Sequence, residues 1–376
     1  MFRWIKEIWS GFLVGTANII PGVSGGTLLF LLGLYERTIS ALSKFKAGSV
    51  SALLRGAWGA LFSNKRAENL RLFTEQAQAL DIPFLIRLGA GAGAAILLLS
   101  GLMMFLLETQ FANTYAFFFG LIVLSTILSV KMVKVKKPLY LIHFIIGAAI
   151  TVAVTAAFNP VNDAKEKSEH YRTVSEAAKA SELSASGEAV ESAGQVKQRA
   201  LLKYTGRYTG KELAIAAASG AIAVCAMILP GLSGSLVLVL MGRYYEVISA
   251  VSGLKTLQLD YILYLTIFAA GMGIGLLAFA RVIDLVFKRF YDDTIAFLIG
   301  LMAGSLYALW PFKKTVTMDL YEKGVDGITL TQNAVVQTNI NILPESAVSL
   351  LLALLFCGVG AAIMIVLEKY NVEKNS

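Results

Sequence analysis

A nine-residue motif that occurs twice constrains this chain more than any other feature. Ile20-Pro21-Gly22-Val23-Ser24-Gly25-Gly26-Thr27-Leu28 is matched 209 positions later by Leu229-Pro230-Gly231-Leu232-Ser233-Gly234-Ser235-Leu236-Val237. The same register holds from Gly11 against Gly220 through Ser40 against Ser249. The sequence therefore contains an internal duplication.

The duplicated motif lies in a strongly apolar chain. Of its 376 residues, 56% are hydrophobic and 15% are charged, and the mean hydropathy is +0.67. This composition predicts a polytopic membrane protein whose spans are helices. The N-terminal sequence has no small-residue cleavage site ahead of the first motif, so we expect its first membrane segment to be retained. The net charge of +8 fits basic loops that face anionic lipid and gives no indication of nucleic-acid binding.

The sequence predicts neither a cofactor nor a metal site. Cys225 and Cys357 both lie inside apolar runs, which favours two buried thiols over a disulfide. His, Cys and Asp residues form no cluster with metal-ligand spacing.

Each copy of the motif places helix breakers inside an apolar run. Proline removes a backbone donor and glycine lowers helix propensity, so a helix that arrives at Ile20 or Leu229 should end there. Ser24 and Ser233 should then cap a new helix. A helix broken at membrane depth is tolerated where its freed backbone groups line a cavity or are buried in protein. The alternative is a simple kink in each of two packed helices.

The start of such a second half-helix suits an anion, because its free N–H groups carry partial positive charge. Matched half-helix ends in two halves are typical of repeat-built secondary transporters. Asn18 should bond either the freed backbone or a ligand, and its counterpart is Met227. The predicted anion-binding residues of the two copies are Pro21, Gly22, Ser24, Gly25, Gly26 and Thr27, and Pro230, Gly231, Ser233, Gly234 and Ser235.

Fixed charges follow on each second arm, at Glu36 and Arg37 and at Arg243 and Glu246. These residues stand ten to thirteen positions past the capping serine, which is about 15–20 Å along a continuous helix. We therefore expect Arg37 and Arg243 near opposite membrane faces. They either capture a phosphate at the two mouths of a pathway, as candidate gates, or form local ion pairs at the interface.

The remaining apolar segments predict three further spans in each half. They lie at about 83–107, 114–130 and 138–158 in the first half, residues 1–158, and at about 261–287, 294–310 and 346–367 in the second, residues 211–376. Gly91 and Gly93 match Gly271 and Gly273 at an offset of 180.

The broken segments, 8–42 and 211–251, are either re-entrant hairpins or spanning arms, and both interpretations give each half an odd number of crossings. The predicted fold is an all-α polytopic membrane protein with two inverted-topology repeats, each with a Pro-Gly-broken hairpin.

Basic residues predict the orientation. The two termini, an insert at about 43–82, the 131–137 turn and the region of Lys288 carry a basic excess and should be cytoplasmic. The 159–210 linker, rich in Ala, Ser, Glu and Lys, should be extracytoplasmic and partly helical or disordered. A loop at about 311–345 alternates in polarity, which indicates a small extracytoplasmic β-hairpin.

Three further polar residues lie in or near predicted spans. Arg281 and Asp284 are spaced to pair on one helix face, and a structural role is favoured over a functional one. His143 is the one histidine in a predicted span, and hydrogen-bonded packing is favoured over a proton relay.

The paired Pro-Gly-x-Ser-Gly motifs, with Ala17-Asn18-Ile19-Ile20 before the first and Met241-Gly242-Arg243-Tyr244-Tyr245 after the second, resemble those of the bacterial polyprenyl-phosphate transporter family. The resemblance covers the chain except the 159–210 linker and the 311–345 loop. It implies transport of undecaprenyl phosphate, the lipid carrier of cell-wall precursors, across the cytoplasmic membrane for reuse. A coupling proton or sodium ion and the oligomeric state are left open.

Two other functions remain as alternatives. Intramembrane polyprenyl-diphosphate phosphatases carry a similar Pro-Gly-x-Ser motif followed by arginine, but Gly25 and Gly234 occupy that position here. The first arm also lacks paired glutamates, so hydrolysis has neither an evident cation nor a base. A small-anion carrier or channel would use the same half-helix ends and would need no lipid.

Overall fold

A computed structural model describes residues 2–19, 24–62, 66–133, 138–185, 208–253, 259–324 and 327–372. Pro21 and Gly22 of the first motif lie outside the described residues, as do 134–137 of the basic turn and 186–207 of the linker. The first break is thus bracketed by one helix that ends at Ile19 and another that begins at Gly25.

The first half contains a broken segment, a helical insert and three long helices. The helices are α1 (Phe2–Ile19), α2 (Gly25–Leu31), α3 (Tyr35–Ser43), α4 (Ala47–Phe62), α5 (Arg66–Ala79), α6 (Ile82–Thr109), α7 (Phe111–Ser129) and α8 (Leu139–Ala157), with a 3₁₀ turn at Val130–Met132; α9 (Pro160–Ala185) follows in the linker. The insert corresponds to α4 and α5, which pack on each other. The start of the linker is the helix α9, as the partly helical prediction allows.

The second half repeats this order without the insert. Its elements are α10 (Gly210–Ile228), α11 (Gly234–Leu240), α12 (Tyr244–Gly253), α13 (Leu259–Arg289), α14 (Tyr291–Ala308), β1 (Lys313–Gly324), β2 (Gly327–Asn341) and α15 (Ala347–Val372). The strands pair antiparallel, with Val316 opposite Val336, and confirm the predicted hairpin. The hairpin packs against α9, so the linker and the loop lie at the same end of the molecule.

Six helices among the described residues are long and apolar enough to cross a membrane: Ile82–Leu99, Phe111–Met132, Leu139–Ala157, Gly210–Ile228, Leu259–Arg289 and Ala347–Val366. Five of them match predicted spans, and the sixth is α10. The predicted span at 294–310 exists as α14, which is not among the six. Because α14 is central, with Ile295, Leu298 and Leu301 fully buried, protein rather than lipid surrounds it. The chain is a mostly helical, polytopic membrane protein.

Equivalent helices of the two halves make equivalent contacts through glycine. A Cβ atom on Gly91 of α6 would lie 2.0 Å from the carbonyl oxygen of Ile8 in α1, and one on Gly271 of α13 would lie 2.1 Å from that of Ala217 in α10. Both residues of the second pair are the duplication counterparts of the first. The absence of a side chain lets each helix pair approach to backbone contact.

The last long helix of each half packs against the other half. α8 packs on α14 and α15 packs on α7, while α7 and α14 contact each other at the centre. A Cβ on Gly300 would lie 2.1 Å from the carbonyl oxygen of Phe144, and one on Gly120 would lie 2.0 Å from that of Cys357. The two halves therefore interlock.

The second arm of each broken segment differs from the prediction. We expected one continuous helix after the capping serine, and that expectation is wrong. α2 ends at Leu31 and α11 at Leu240, each followed by a glycine with φ +65°, Gly33 and Gly242. In the first copy the N–H of Leu34 donates to the Leu29 carbonyl at 2.9 Å, as in a Schellman C-terminus, and the second copy repeats this geometry. The chain turns here, so Arg37 and Arg243 do not lie on the helix that the motif caps.

We expect Gly300→Ala to lower the stability of the protein by about 1–3 kcal/mol, because the new methyl group would collide with the α8 backbone at Phe144. Gly273→Ala is the matched control in α13, because no atom lies within 4 Å of its Cβ position. Thermal unfolding of both variants in detergent measures the difference. Equal stability of the two would contradict the close helix contact.

Candidate functional site

The two copies of the motif are hydrogen-bonded to each other. The Ser24 hydroxyl lies 3.2 Å from the carbonyl oxygens of both Met227 and Leu229 and donates to them. The Thr27 hydroxyl accepts a hydrogen bond from the Gly231 N–H at 2.8 Å. Ser24 is 3% exposed and Thr27 is fully buried. Although they are separated by 209 positions in the sequence, the described residues of the two copies are in direct contact.

Protein groups occupy the predicted anion cradle of the first copy. The Asn18 side-chain oxygen accepts from the Gly25 N–H at 2.9 Å, and the Ser24 hydroxyl accepts from the Gly26 N–H at 3.2 Å. A Cβ on Gly26 would lie 2.2 Å from the carbonyl oxygen of Ile228, so the backbones are in contact there. Of its two predicted partners, Asn18 bonds the freed backbone. In this conformation protein groups already accept from the Gly25 and Gly26 N–H groups that the sequence predicts as anion ligands.

The second copy has the same backbone at its cap but different side-chain contacts. Ser233 has φ −107° and ψ 129°, against −106° and 137° for Ser24. Its hydroxyl lies 2.8 Å from that of Ser235 and makes no capping bond. The counterparts of Asn18 and Thr27 are Met227 and Leu236, which cannot fill the site with polar atoms. This sequence difference leaves the second copy open.

A cavity of about 380 Å³ adjoins the second copy. Gly231, Ser233 and Ser235 line it on one side. Another side consists of polar residues, which are Lys313, Gln337, Thr338 and Asn339 of the hairpin and Asp163 and Lys167 of α9. An apolar side consists of Phe111 of α7 and of Leu236 and Val239 of α11. The lining of the cavity therefore combines hydroxyl-bearing and cationic residues with an apolar wall. Gly234 and Pro230, which the sequence predicts as ligands, are not among the lining residues. Gly234 packs against Ala223, and Pro230 is buried.

Lys313 is the one buried lysine or arginine among the side chains that the structure describes, with 7% exposure. Its Nζ donates to the Tyr307 carbonyl at 3.1 Å and to the Asn341 side-chain oxygen. Burial lowers the pKa of Lys313 to about 8. Sequence reasoning missed this residue, because only the packing of the hairpin distinguishes it from the adjacent, exposed Lys314.

Arg37 lies in an ion-pair network away from the cavity. Its guanidinium contacts Glu7 and Asp81, each at 2.7 Å, and Arg87 contacts Glu7 at 3.0 Å. Glu7 is only 4% exposed. The local ion pair predicted beside Arg37 is wrong, since its partners are remote in sequence and Glu36 instead accepts from the Tyr291 hydroxyl at 3.0 Å.

Arg243 does form the local pair, with Glu246 at 2.7 Å. Neither residue lines the cavity, although the neighbouring Tyr244 does. In this conformation both predicted phosphate-capturing arginines are bound by carboxylates of the protein itself.

The ion-pair network and the cavity lie at opposite ends of α6. Asp81 and Arg87 flank the start of that helix, and the cavity residue Phe111 follows its end. A helix of 28 residues spans roughly 40 Å, which is the thickness of a bilayer. The cavity and the network are therefore separated by about the length of α6.

Other predicted residues have structural contacts at the network end. Arg281 donates to the Phe45 carbonyl, and Asp284 accepts from Lys288 at 2.6 Å and from Ser43 at 3.2 Å. Arg281 and Asp284 thus attach α13 to the start of the insert, each through partners other than the other. His143 lies 3.4 Å from Asp293 and 3.1 Å from the Leu139 carbonyl. Among the described residues no cluster of His, Cys, Asp or Glu could hold a metal ion.

Comparison with known proteins gives a consistent result. A family model described as undecaprenyl phosphate translocase-like matches residues 14–327. A polyprenyl-phosphate transporter of Vibrio cholerae serotype O1 is 31% identical over 98% of this chain and 97% of its own length. A polyprenyl-phosphate transporter of Staphylococcus aureus is 27% identical over 82% of this chain and 87% of its own length. No solved structure matches the chain.

We expect Thr27→Val to destabilise the protein, because it leaves the Gly231 N–H without its acceptor at the contact between the motifs. An unsatisfied buried donor costs about 1–3 kcal/mol. Thr27→Ser keeps the hydroxyl and is the control. Thermal unfolding in detergent should place the serine variant near the wild type and the valine variant clearly below it; the reverse order would mean that the bond contributes nothing.

Proposed function

The chain belongs to the undecaprenyl phosphate translocase-like family, and from this we propose that it transports undecaprenyl phosphate, or a related polyprenyl phosphate, across the bacterial cytoplasmic membrane. Such movement would recycle the lipid carrier of cell-wall synthesis. The observation that carries the proposal is the cavity beside the second motif, which Ser233, Ser235 and Lys313 line together.

The chemistry of the lipid fits this cavity. A phosphate group is costly to move through hydrocarbon unless hydrogen-bond donors and opposite charge replace its water. Ser233 and Ser235 supply hydroxyls, and Lys313 and Lys167 supply positive charge. The apolar wall of Leu236 and Val239 suits the first isoprene units, and the rest of the tail can stay in the bilayer. Asp163 also lines the cavity, so the cations must outweigh one carboxylate.

Alternating access would follow if the two halves exchanged conformations, so that the open end of the protein closed and the closed end opened. We propose that residues 1–158 and 211–376 are inverted-topology repeats with re-entrant Pro-Gly hairpins. The equivalent pairs α1–α6 and α10–α13, and the exchanged pairs α8–α14 and α15–α7, support a twofold relation between the halves.

In the state described here the cavity end would be open, and the opposite end would be closed by the contact between the motifs and by the Glu7, Arg37 and Asp81 network. Arg37 then acts as a gate residue that must leave its carboxylates when the state changes. Arg243 is its proposed counterpart on the other side, where Glu246 holds it.

The proposed orientation places the hairpin and α9 outside the cell and both termini inside. Contacts at the network end support it, because they join α1, the insert, the end of α13 and the start of α14. α15 begins beside the hairpin and is 26 residues long, so it would carry the chain about 39 Å back to the network side.

Loss of the two cavity hydroxyls should slow transport. We expect Ser233→Ala combined with Ser235→Ala to lower the rate of undecaprenyl phosphate movement at least about tenfold, because hydrogen bonds to charged groups contribute about 1.5–3 kcal/mol each. Hydroxyl variants are preferable to leucine at Gly25 or Gly234, where a side chain would strike Asn18 or the Ala223 backbone. Ser51→Ala, on the exposed surface of α4, is the control.

The assay uses purified protein in sealed liposomes and follows undecaprenyl phosphate between leaflets. The same preparation is supplied with undecaprenyl diphosphate to detect phosphate release. Lipid movement without release supports the proposal. Release from the diphosphate would favour the phosphatase, and uptake of inorganic phosphate without lipid movement would favour a small-anion carrier.

A further inference from the structure

We propose that Lys313, at the base of the β-hairpin, is the residue that binds the phosphate group of the lipid in the cavity. The inference rests on the proposed function and adds to it the residue that recognises the charge. It also gives the hairpin a role, because the hairpin would complete the binding site from outside the duplicated helices.

Lys313 makes no ion pair among the residues that the structure describes, although Asp163 lines the same cavity. Its two hydrogen-bond partners, the Tyr307 carbonyl and the Asn341 side chain, are neutral. Among the described residues no carboxylate lies within ion-pair distance of its Nζ. A buried ammonium without an anion is costly, and its lowered pKa, about 8, reflects this cost. A phosphate group in the adjoining cavity would supply the missing charge.

The hairpin holds Lys313 in a fixed position. The Trp310 side-chain N–H donates to the Ile342 carbonyl at 2.8 Å, and the Ile342 N–H donates to the Phe312 carbonyl at 3.0 Å. The Asn339 side chain donates to the Thr155 carbonyl at 2.7 Å, which ties β2 to the end of α8. These bonds enclose the residue from both strands. A preorganised cation loses little freedom when it binds an anion.

Lys313 and Ser233 line the same cavity from different parts of the fold. Alternation along β1 turns Lys313 inward and leaves Lys314 exposed. Lys167 also lines the cavity, but it is an exposed residue of α9 whose ammonium lies 5.9 Å from the Tyr171 ring centre. Of the two cavity lysines, Lys313 is therefore the one that is buried and fixed.

A structural explanation also exists. The Tyr307 carbonyl belongs to the last turn of α14, where carbonyls lack partners within the helix, and a lysine commonly satisfies such groups. This role would not depend on the charge of a ligand. The two explanations therefore predict different effects on a charged and an uncharged form of the same lipid.

The test measures equilibrium binding of geranyl phosphate and of geraniol to the full-length protein in detergent. We expect Lys313→Met to weaken binding of the phosphate at least tenfold and to change binding of the alcohol less than twofold. Lys313→Arg should stay within about threefold of the wild type for both. The control is Lys314→Met, on the exposed face of the same strand. Lys167→Met is the competing variant, which tests whether the other cavity lysine binds the phosphate instead.

A pH series adds a second readout. The second pKa of a phosphate monoester is about 6, so its charge changes little from pH 7 to 9, whereas Lys313 loses its proton as the pH rises through about 8. Asp163 and Lys167 from α9, Tyr115 from α7 and Tyr244 from α12 face the same cavity. We expect phosphate binding by the wild type to weaken between pH 7 and 9, and Lys313→Arg to remove that dependence.

Several outcomes would overturn the inference. Unchanged phosphate binding in Lys313→Met, equal weakening of phosphate and alcohol, or a loss confined to Lys167→Met would each do so. Transport in liposomes separates this inference from the proposed function: normal lipid movement by Lys313→Met removes the inference alone, whereas no movement by the wild type removes both.

Discussion

The structure depends on how two apolar helices, each broken at a Pro-Gly motif, satisfy the backbone groups at the break. Where a helix stops, its terminal N–H and carbonyl groups lose their partners, and hydrocarbon offers none. Here residues that flank each break provide hydrogen-bond partners for the backbone groups at the other break. Thr27 accepts the Gly231 N–H, and Ser24 donates to the carbonyls at the end of α10. Neither break could be satisfied in this way by a single copy of the motif, so the duplication and the interlocked packing of the halves follow from the same constraint.

The two copies of the motif differ in sequence, and this difference makes the contact between them asymmetric. Asn18 and Thr27 close the first copy with polar side chains, while Met227 and Leu236 leave the second copy beside a cavity. The network in which the buried Glu7 and the partly exposed Asp81 hold Arg37 lies at the far end of α6. An anionic head that enters the cavity therefore meets donors and positive charge on its own side and a closed contact beyond them. A carrier that alternates would exchange this arrangement between its sides.

Much of this architecture could be predicted from the sequence, because it follows from local patterns. The duplicated motif predicted where the helices break, the apolar segments predicted the long helices, and the alternation of polarity predicted the hairpin. The turns at Gly33 and Gly242 were missed, although their matched positions were a signal that could have found them. Other features depend on contacts distant in sequence. No local pattern shows that Arg37 pairs with Glu7 and Asp81, or that Lys313 is buried while Lys314 is exposed.

The central claim is that the phosphate group enters the cavity beside the second motif from the hairpin side. Cysteine labelling tests it most directly, with Ser235→Cys in a chain whose Cys225 and Cys357 are replaced by alanine. In oriented proteoliposomes, a membrane-impermeant maleimide should label this cysteine from the hairpin side, and undecaprenyl phosphate should protect it. Labelling that undecaprenyl phosphate does not change, or labelling from the opposite side alone, would contradict the account.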